Sequence, residues 1–107
     1  MWQIPIIHGP NMNLLGERQP EIYGTETFET FLDKLKIEYP KIRFPYHQSN
    51  HEGDLIDWIQ DYRSKANAII LNPGAFAHSS IAIRDAIASI KIPVVEIHIS
   101  DTNNREE

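Results

Sequence analysis

The sequence predicts one α/β domain with a parallel β-sheet and helices on both faces of that sheet. Three observations support this fold class. The 107 residues suffice for one domain, and four short apolar runs are rich in β-branched residues. The segments between these runs carry apolar residues at helical spacing. Strands that alternate with helices favour parallel pairing through right-handed crossovers.

The first two predicted elements are a strand over residues 4–7 and a helix over residues 26–39. Pro5 is awkward in a central strand because it cannot donate a ladder hydrogen bond. We therefore expect it among the first residues of the strand or at a bulge. The helix is indicated by apolar residues at i, i+3, i+4 and i+7, which are Phe28, Phe31, Leu32 and Leu35.

A strand over residues 42–46 and a helix over residues 52–63 follow. Ser49, with Glu52 three residues later, predicts a capping box that opens this helix. Its apolar stripe consists of Leu55, Ile56, Ile59 and Tyr62.

The last predicted elements are a strand over residues 68–71, a helix over residues 80–90 and a strand over residues 93–99. The helical stripe consists of Ile83, Ala86, Ile87 and Ile90. The polar stretch that follows suggests no element that would cover the last strand, so we expect an exposed edge there.

Composition narrows the classes of function. Ten basic residues against fifteen acidic ones give a net charge of −5, and no basic run is present. This argues against a nucleic-acid partner. The sequence has no cysteine, which excludes disulfides and thiolate zinc sites. It has no apolar stretch of about 18 residues and no visible signal peptide. We therefore expect a cytoplasmic protein without a membrane partner.

Polar residues follow each predicted strand. Asn11 follows the first strand, a cluster at residues 48–52 follows the second, and Asn72 and His78 follow the third. Glu96 and His98 lie two residues apart on the fourth, so their side chains share one face. Ligands of open parallel sheets bind beyond the carboxyl ends of the strands. These residues predict a site, although turn formation and helix capping explain some of them individually.

The segment 16–24 is a long loop bounded by glycines, and it carries Arg18 and Tyr23. Loops of this length in compact domains are often lids or binding loops. The alternative is a solvated loop in which Arg18 pairs with an acid and Tyr23 packs against the protein.

Taken together, these motifs resemble the type II 3-dehydroquinate dehydratases. The similar stretches occur in the order and spacing of that family and extend over nearly the whole chain. They are residues 9–16, Arg18, residues 20–24, 48–53, 55–58, 72–75, 78–80, 84–86 and 95–100.

The resemblance implies a flavodoxin-like three-layer sandwich whose parallel sheet has the strand order 2-1-3-4. It implies a hydro-lyase that eliminates water from 3-dehydroquinate through an enolate, giving 3-dehydroshikimate in the shikimate or quinate pathway. It implies no cofactor and no metal, and a dodecamer built of trimers. Compared with the family, residues 1–107 form a single domain without the fifth edge strand, the final helix and a substrate-binding arginine.

The resemblance also assigns catalytic roles. Tyr23 corresponds to the general base, and Arg18 would favour its phenolate form through the nearby positive charge. Asn11 would place a water or donor against the enolate oxygen. His98 corresponds to the general acid, and Glu96 would orient it.

Substrate binding falls to a second group of residues in the same resemblance. Asn72 and His78 would bind hydroxyls and the carboxylate of the substrate, and the backbone N–H groups at Ile99 and Ser100 would hold the carboxylate. Asp85 corresponds to a residue that reaches the site of a neighbouring subunit.

Three alternatives remain. A flavodoxin-like module that binds FMN or phosphate lacks support because no glycine-rich phosphate loop is present. A metal hydrolase would use His51, His78, His98 and Glu96, but no His-Glu-x-x-His pair occurs. The third alternative is a truncated, inactive assembly or regulatory relative of the same fold.

Overall fold

The computed structural model of the chain describes residues 1–14 and 28–98. Six short strands, four helices and one 3-10 turn lie in these two ranges. In chain order they are β1 (Trp2–Gln3), β2 (Ile6–His8), the 3-10 turn (Met12–Leu14), α1 (Phe28–Glu38), β3 (Ile42–Arg43), β4 (Tyr46–Gln48), α2 (Glu52–Tyr62), β5 (Ile69–Asn72), α3 (Phe76–Ser79), α4 (Ile81–Ala88) and β6 (Val94–Glu96).

The main sheet has four parallel strands in the order β4-β2-β5-β6. These strands lie within or directly beside the four predicted strand segments, so the predicted order 2-1-3-4 is confirmed. A separate parallel pair joins β1, which lies just before the first predicted run, to β3 at the start of the second. The parallel α/β class predicted from alternating strands and helices is therefore observed.

Prolines divide the first two predicted strands into shorter pieces. Pro5 lies directly before β2 and Pro45 directly before β4. Backbone pairing continues across both interruptions, because the N–H of Ile4 donates to the carbonyl of Arg43 and the N–H of Ile6 donates to that of Pro45, each at 2.8 Å. Pro5 is thus tolerated at the entry to the central strand, as predicted.

The helices cover both faces of the sheet. Consecutive residues of β2 point to opposite faces, and each of these residues packs against different helices. Ile7 belongs to one buried cluster, which α2 and α4 complete, with Leu55 and Ile83 among its members. Ile6 belongs to the other cluster, which Phe28 and Leu32 of α1 complete. Each predicted helical stripe thus contributes residues to one of the two cores.

Two local predictions are wrong. Ser49 and Glu52 do not form a capping box, since α2 is N-capped by His51 without a side-chain bond. The Ser49 hydroxyl instead accepts from the backbone N–H of His51 at 2.9 Å and donates to Asp54 Oδ2 at 2.6 Å. The third predicted helix is shorter than expected: Ser80 is its N-cap, and the separate turn α3 precedes it.

None of the helices in residues 1–14 and 28–98 is long and apolar enough to cross a membrane.

Candidate active site

The polar residues predicted to form a site lie at one edge of the sheet. In the strand register, His8 is opposite Gln48 on one side and Asn72 on the other, and Leu71 is opposite Glu96. The carboxyl ends of four adjacent strands are therefore level. Backbone hydrogen bonds continue just beyond them, for example from the N–H of Gly9 to the carbonyl of Asn72 at 2.7 Å.

Asn11 lies in a constrained turn after β2. Its φ of 72° is in the left-handed region, which asparagine tolerates better than most residues. Its backbone N–H donates to the side-chain oxygen of Asn50 at 3.0 Å. The amide of Gln48 donates to the same oxygen and to the carbonyl of Gly9, both at 3.2 Å. The backbone of Asn11 is thus held in place while its side chain remains exposed.

Asn72 is buried at the end of β5, with 1% of its surface exposed. Its oxygen accepts from the backbone N–H of Gly74 at 3.2 Å, which closes the turn after the strand. Gly74 has a φ of 62°, so the turn requires a residue that adopts the left-handed region. Among the described residues, the amide nitrogen of Asn72 donates to the Sδ of Met12 at 3.5 Å, which is a weak acceptor.

Glu96 and His98 lie together, as their spacing predicts. His98 Nε2 is 3.1 Å from Glu96 Oε2. The pair is less buried than its apolar sequence context suggests, because β6 ends at Glu96, and the side chain of His98 is 50% exposed. Arg84 of α4 donates to both oxygens of Glu96, at 2.6 and 2.8 Å. These hydrogen bonds are the main reason that the pKa of Glu96 lies below its usual range.

His78 and Asp85 lie on the two short helices that follow β5. Both residues are exposed, His78 on α3 and Asp85 on α4. The position of α4 is fixed by Ser80, whose hydroxyl accepts from the N–H of Ile83 at 2.9 Å and donates to the carboxylate of Glu52. The cap thereby links α4 to the start of α2.

Four predicted site residues lie outside the described ranges. They are Arg18, Tyr23, Ile99 and Ser100. The described part of the site therefore contains the residues predicted for the acid and for the enolate oxygen and three of those predicted for substrate binding, but neither the predicted base nor its arginine.

Two residues gain importance only from the structure. His8 is fully buried, with Nδ1 at 3.0 Å from the hydroxyl of Tyr46 and its ring edge-on to Phe28 at 4.4 Å. Burial lowers the pKa of His8 to about 4 and is the main reason that the pKa of Tyr46 rises to about 12. Arg84 is the second, and its helical position gave no signal that it faces Glu96 across the fold.

Metal ligands do not assemble within residues 1–14 and 28–98, where no three His, Asp or Glu side chains come close enough to hold an ion. The described edge offers instead amides, one imidazole–carboxylate pair and backbone groups. Such a set suits binding of hydroxyl and carbonyl oxygens and transfer of protons.

Comparison with known proteins gives one consistent family. The family model described as "Dehydroquinase class II" matches residues 2–107. The "3-dehydroquinate dehydratase" of Halalkalibacterium halodurans is 50% identical over 99% of this chain and 74% of its own length. The protein of the same name from Dictyoglomus turgidum is 49% identical over 100% of this chain and 75% of its own length.

Solved structures agree with the sequence relatives. The type II dehydroquinase of Butyrivibrio crossotus superposes with a TM-score of 0.86 at 43% identity and covers 98% of this chain and 75% of its own. That of Propionibacterium acnes gives the same TM-score at 33% identity, over 100% of this chain and 75% of its own. The predicted flavodoxin-like α/β fold is thereby confirmed.

Proposed function

The chain belongs to the class II dehydroquinase family, and from this premise we infer that it is a hydro-lyase acting on 3-dehydroquinate. It removes water from this substrate to give 3-dehydroshikimate, the dehydratase step of the shikimate or quinate pathway. Relatives named for this reaction are 47–50% identical to it. The observation on the described residues that best supports the chemistry is the Glu96–His98 pair at the edge where the polar strand ends meet.

The reaction needs one base, one acid and support for a transient negative charge. The base takes a proton from the carbon next to the ketone, and the electron pair moves into an enolate. Collapse of the enolate expels the hydroxyl on the next carbon, and the acid gives that hydroxyl the proton that makes it water. The product is a conjugated enone, and no oxidant or reductant is consumed. Positioned groups with matched proton affinities accelerate both transfers.

We assign the general acid to His98 and its orientation to Glu96. The carboxylate of Glu96 only accepts hydrogen bonds when it is ionised, and Arg84 favours that form. His98 Nε2, 3.1 Å away, then donates to Glu96. This hydrogen bond would orient the ring, and Glu96 would stabilise the imidazolium that acts as the acid. Nδ1 is left as the nitrogen that meets the departing hydroxyl.

We assign the base to Tyr23, with Arg18 stabilising its phenolate. Asn11 would direct a water or its own amide to the enolate oxygen, where preorganised donors are most effective. The support for this role is that the Asn11 backbone is held by Asn50 while its side chain is exposed. A substrate hydroxyl would take the place of Met12 beside the amide of Asn72.

The rest of the binding site follows the same proposal. His78 would contact substrate hydroxyls and carboxylate, and the backbone N–H groups of Ile99 and Ser100 would hold the carboxylate. Asp85 would act in the site of a neighbouring subunit. Its exposed position on α4 is compatible with this role.

We further propose that the chain assembles into trimers and the trimers into a dodecamer. We also propose that the protein lies in the cytoplasm and that residues 1–107 form one domain. Large apolar side chains near the site support contact with another copy. Ile81 on α4 is 84% exposed, and Val95 on the edge strand β6 is 53% exposed. Light scattering tests the oligomeric state, cell fractionation tests the location, and limited proteolysis tests whether residues 1–107 form one domain.

The proposed activity is tested by following the ultraviolet absorbance of the enone when purified chain is mixed with 3-dehydroquinate, with and without borohydride. We expect product in both runs, because no imine forms that borohydride could trap. Tyr23→Phe should abolish turnover and keep substrate binding, whereas Tyr39→Phe, at an exposed position, should retain turnover. A folded wild-type chain that binds substrate but forms no enone would favour the inactive assembly or regulatory relative.

A further inference from the structure

Arg84 makes the most extensive side-chain contact at the described edge of the sheet. Its Nη1 donates to Glu96 Oε1 at 2.6 Å and its Nη2 donates to Glu96 Oε2 at 2.8 Å. Nη2 also donates to the backbone carbonyl of Ala77 at 3.1 Å. One guanidinium therefore joins α4, the turn α3 and the end of β6.

The contact fixes more than the position of the carboxylate. A two-pronged guanidinium pair sets the plane of the carboxylate and the direction of both oxygens. Glu96 Oε2 is shared, since it lies 2.8 Å from Arg84 and 3.1 Å from His98 Nε2. Within the described residues, Arg84 and His98 are the side chains that contact this carboxylate, so Arg84 determines where the oxygen facing His98 lies.

Arg84 is itself held firmly. It lies one turn into α4, whose first turn is capped by Ser80. Ser80 is in turn bonded to Glu52 at the start of α2. The guanidinium thus projects from a helix end that is anchored to a second helix, rather than from a free surface segment.

We propose that Arg84 is a positioning residue for the dehydration. It holds Glu96 so that the carboxylate accepts a hydrogen bond from His98 Nε2, which leaves His98 Nδ1 for the departing hydroxyl. This inference rests on the proposed function, because it concerns the acid of that reaction. Arg84 needs no contact with the substrate for this role.

Two consequences distinguish positioning from a merely structural contact. Arg84 lowers the pKa of Glu96, so its removal lets Glu96 take up a proton at higher pH. A protonated Glu96 no longer offers His98 a charged acceptor, and the acid limb of the kcat–pH profile then moves to higher pH. The second consequence is that loss of orientation lowers kcat and leaves KM nearly unchanged, because the substrate contacts remain.

The test compares Arg84→Gln, Arg84→Lys and the control Arg63→Gln at the exposed end of α2. For Arg84→Gln we expect kcat to fall by about tenfold to a hundredfold, as misplacement of a catalytic group does. KM should stay within about threefold of the wild-type value, and the acid limb of the kcat–pH profile should move to higher pH. Arg84→Lys keeps the positive charge but loses the two-pronged guanidinium contact. Its acid limb should therefore stay near that of wild type, and its kcat should fall by less than that of Arg84→Gln. Arg63→Gln should match wild type in all three quantities.

A readout without turnover separates this inference from the proposed activity. The side-chain carboxyl ¹³C signal of Glu96 reports its titration directly, and its midpoint should rise in Arg84→Gln alone. An unchanged midpoint would overturn the proposal even if the enzyme is active. A raised midpoint with wild-type kcat would also overturn it, since Arg84 would then control the titration of Glu96 without positioning it for catalysis. An inactive wild-type chain would refute the proposed function, while the titration would still decide whether Arg84 controls Glu96.

Discussion

His8 is a buried side chain at the edge of the candidate site, and its burial predicts a loss of stability at low pH. It ends the central strand β2 with none of its surface exposed. Tyr46 of β4 contacts Nδ1, and Phe28 of α1 packs against the ring. Nε2 has no hydrogen-bond partner in the described part of the chain. The negative charge of Glu29 adds to the raised pKa of Tyr46, after the larger effect of burial. Burial therefore favours the neutral form of the His8 imidazole.

We predict that this histidine makes the fold less stable as the pH falls. Burial lowers the pKa of His8 from 6.5 to about 4 in the folded chain. Between these values the unfolded chain binds a proton that the folded chain does not, so the free energy of unfolding decreases with falling pH. The decrease begins near pH 6.5 and levels off near pH 4, at roughly 3 kcal/mol at most.

Urea unfolding from pH 7 to pH 4, at one fixed chain concentration, measures this effect. His8→Asn removes the titrating group, so its pH dependence should be shallower than that of wild type. His51→Asn, at an exposed histidine, is the matched control and should keep the wild-type slope. Parallel curves for wild type and His8→Asn would show that protonation of His8 does not govern acid unfolding.

At the scale of elements, the spacing of β2 and β5 depends on a close backbone contact. A Cβ at Gly9 would lie 2.5 Å from the carbonyl oxygen of Pro73, a distance that real Cβ atoms do not reach. The N–H of Gly9 also donates to Asn72 at 2.7 Å. The two loops that carry Asn11 and Asn72 therefore meet where only glycine fits.

Gly9→Ala should push these two loops apart. We expect a loss of about 1–3 kcal/mol in the free energy of unfolding, as overpacking costs, together with a fall in kcat/KM because both asparagines shift. Gly53→Ala is the control, since nothing lies within 4 Å of its Cβ and it is helical. That substitution should be neutral or stabilise the fold by up to about 1 kcal/mol. Equal stability of the two variants would show that the β2–β5 ends have room to adjust.

The elements that the sequence predicts well are those with a periodic signal. The stripe of α2 places Leu55 and Ile59 in the core, and the polar residues after each strand meet at one edge. The misses are local. The single turn α3 is too short to show a period, and Pro45 divides residues 42–46, which the sequence predicts as one strand. Ser49 satisfies the capping-box pattern but bonds to Asp54 instead.

The candidate site was predictable to the same degree. Spacing alone places Glu96 and His98 on one face, and the structure finds them in contact. Arg84 could not be predicted from spacing, because its partner is twelve residues away on another element. His8 gave only the weak signal of a polar residue ending an apolar strand. Contacts between elements depend on how those elements pack, which one sequence does not specify.

On the scale of the whole molecule, the described residues leave the candidate site open to solvent. The side chain of His98 is 50% exposed, and Asp85 on α4 is also exposed. Ile81, which is 84% exposed, begins the helix that carries Asp85. An apolar side chain of that size in water costs free energy that contact with a second copy would recover. This exposed side chain is compatible with the proposal that sites are completed between subunits.

The last prediction follows from this shared arrangement. If Tyr23 acts within its own subunit and Asp85 in that of a neighbour, Asp85→Ala and Tyr23→Phe should each be inactive alone. Mixed in equal amounts and reassembled, they should restore about a quarter of the sites, because a working site needs an intact Tyr23 chain beside an intact Asp85 chain. Turnover of 3-dehydroquinate by the mixture measures the recovery, and a mixture of Tyr23→Phe with itself is the blank. Co-purification through tags on the two chains establishes that mixed assemblies form. Mixed assemblies without any recovered turnover would place both residues in the same subunit's site and would remove the need for a neighbour in catalysis.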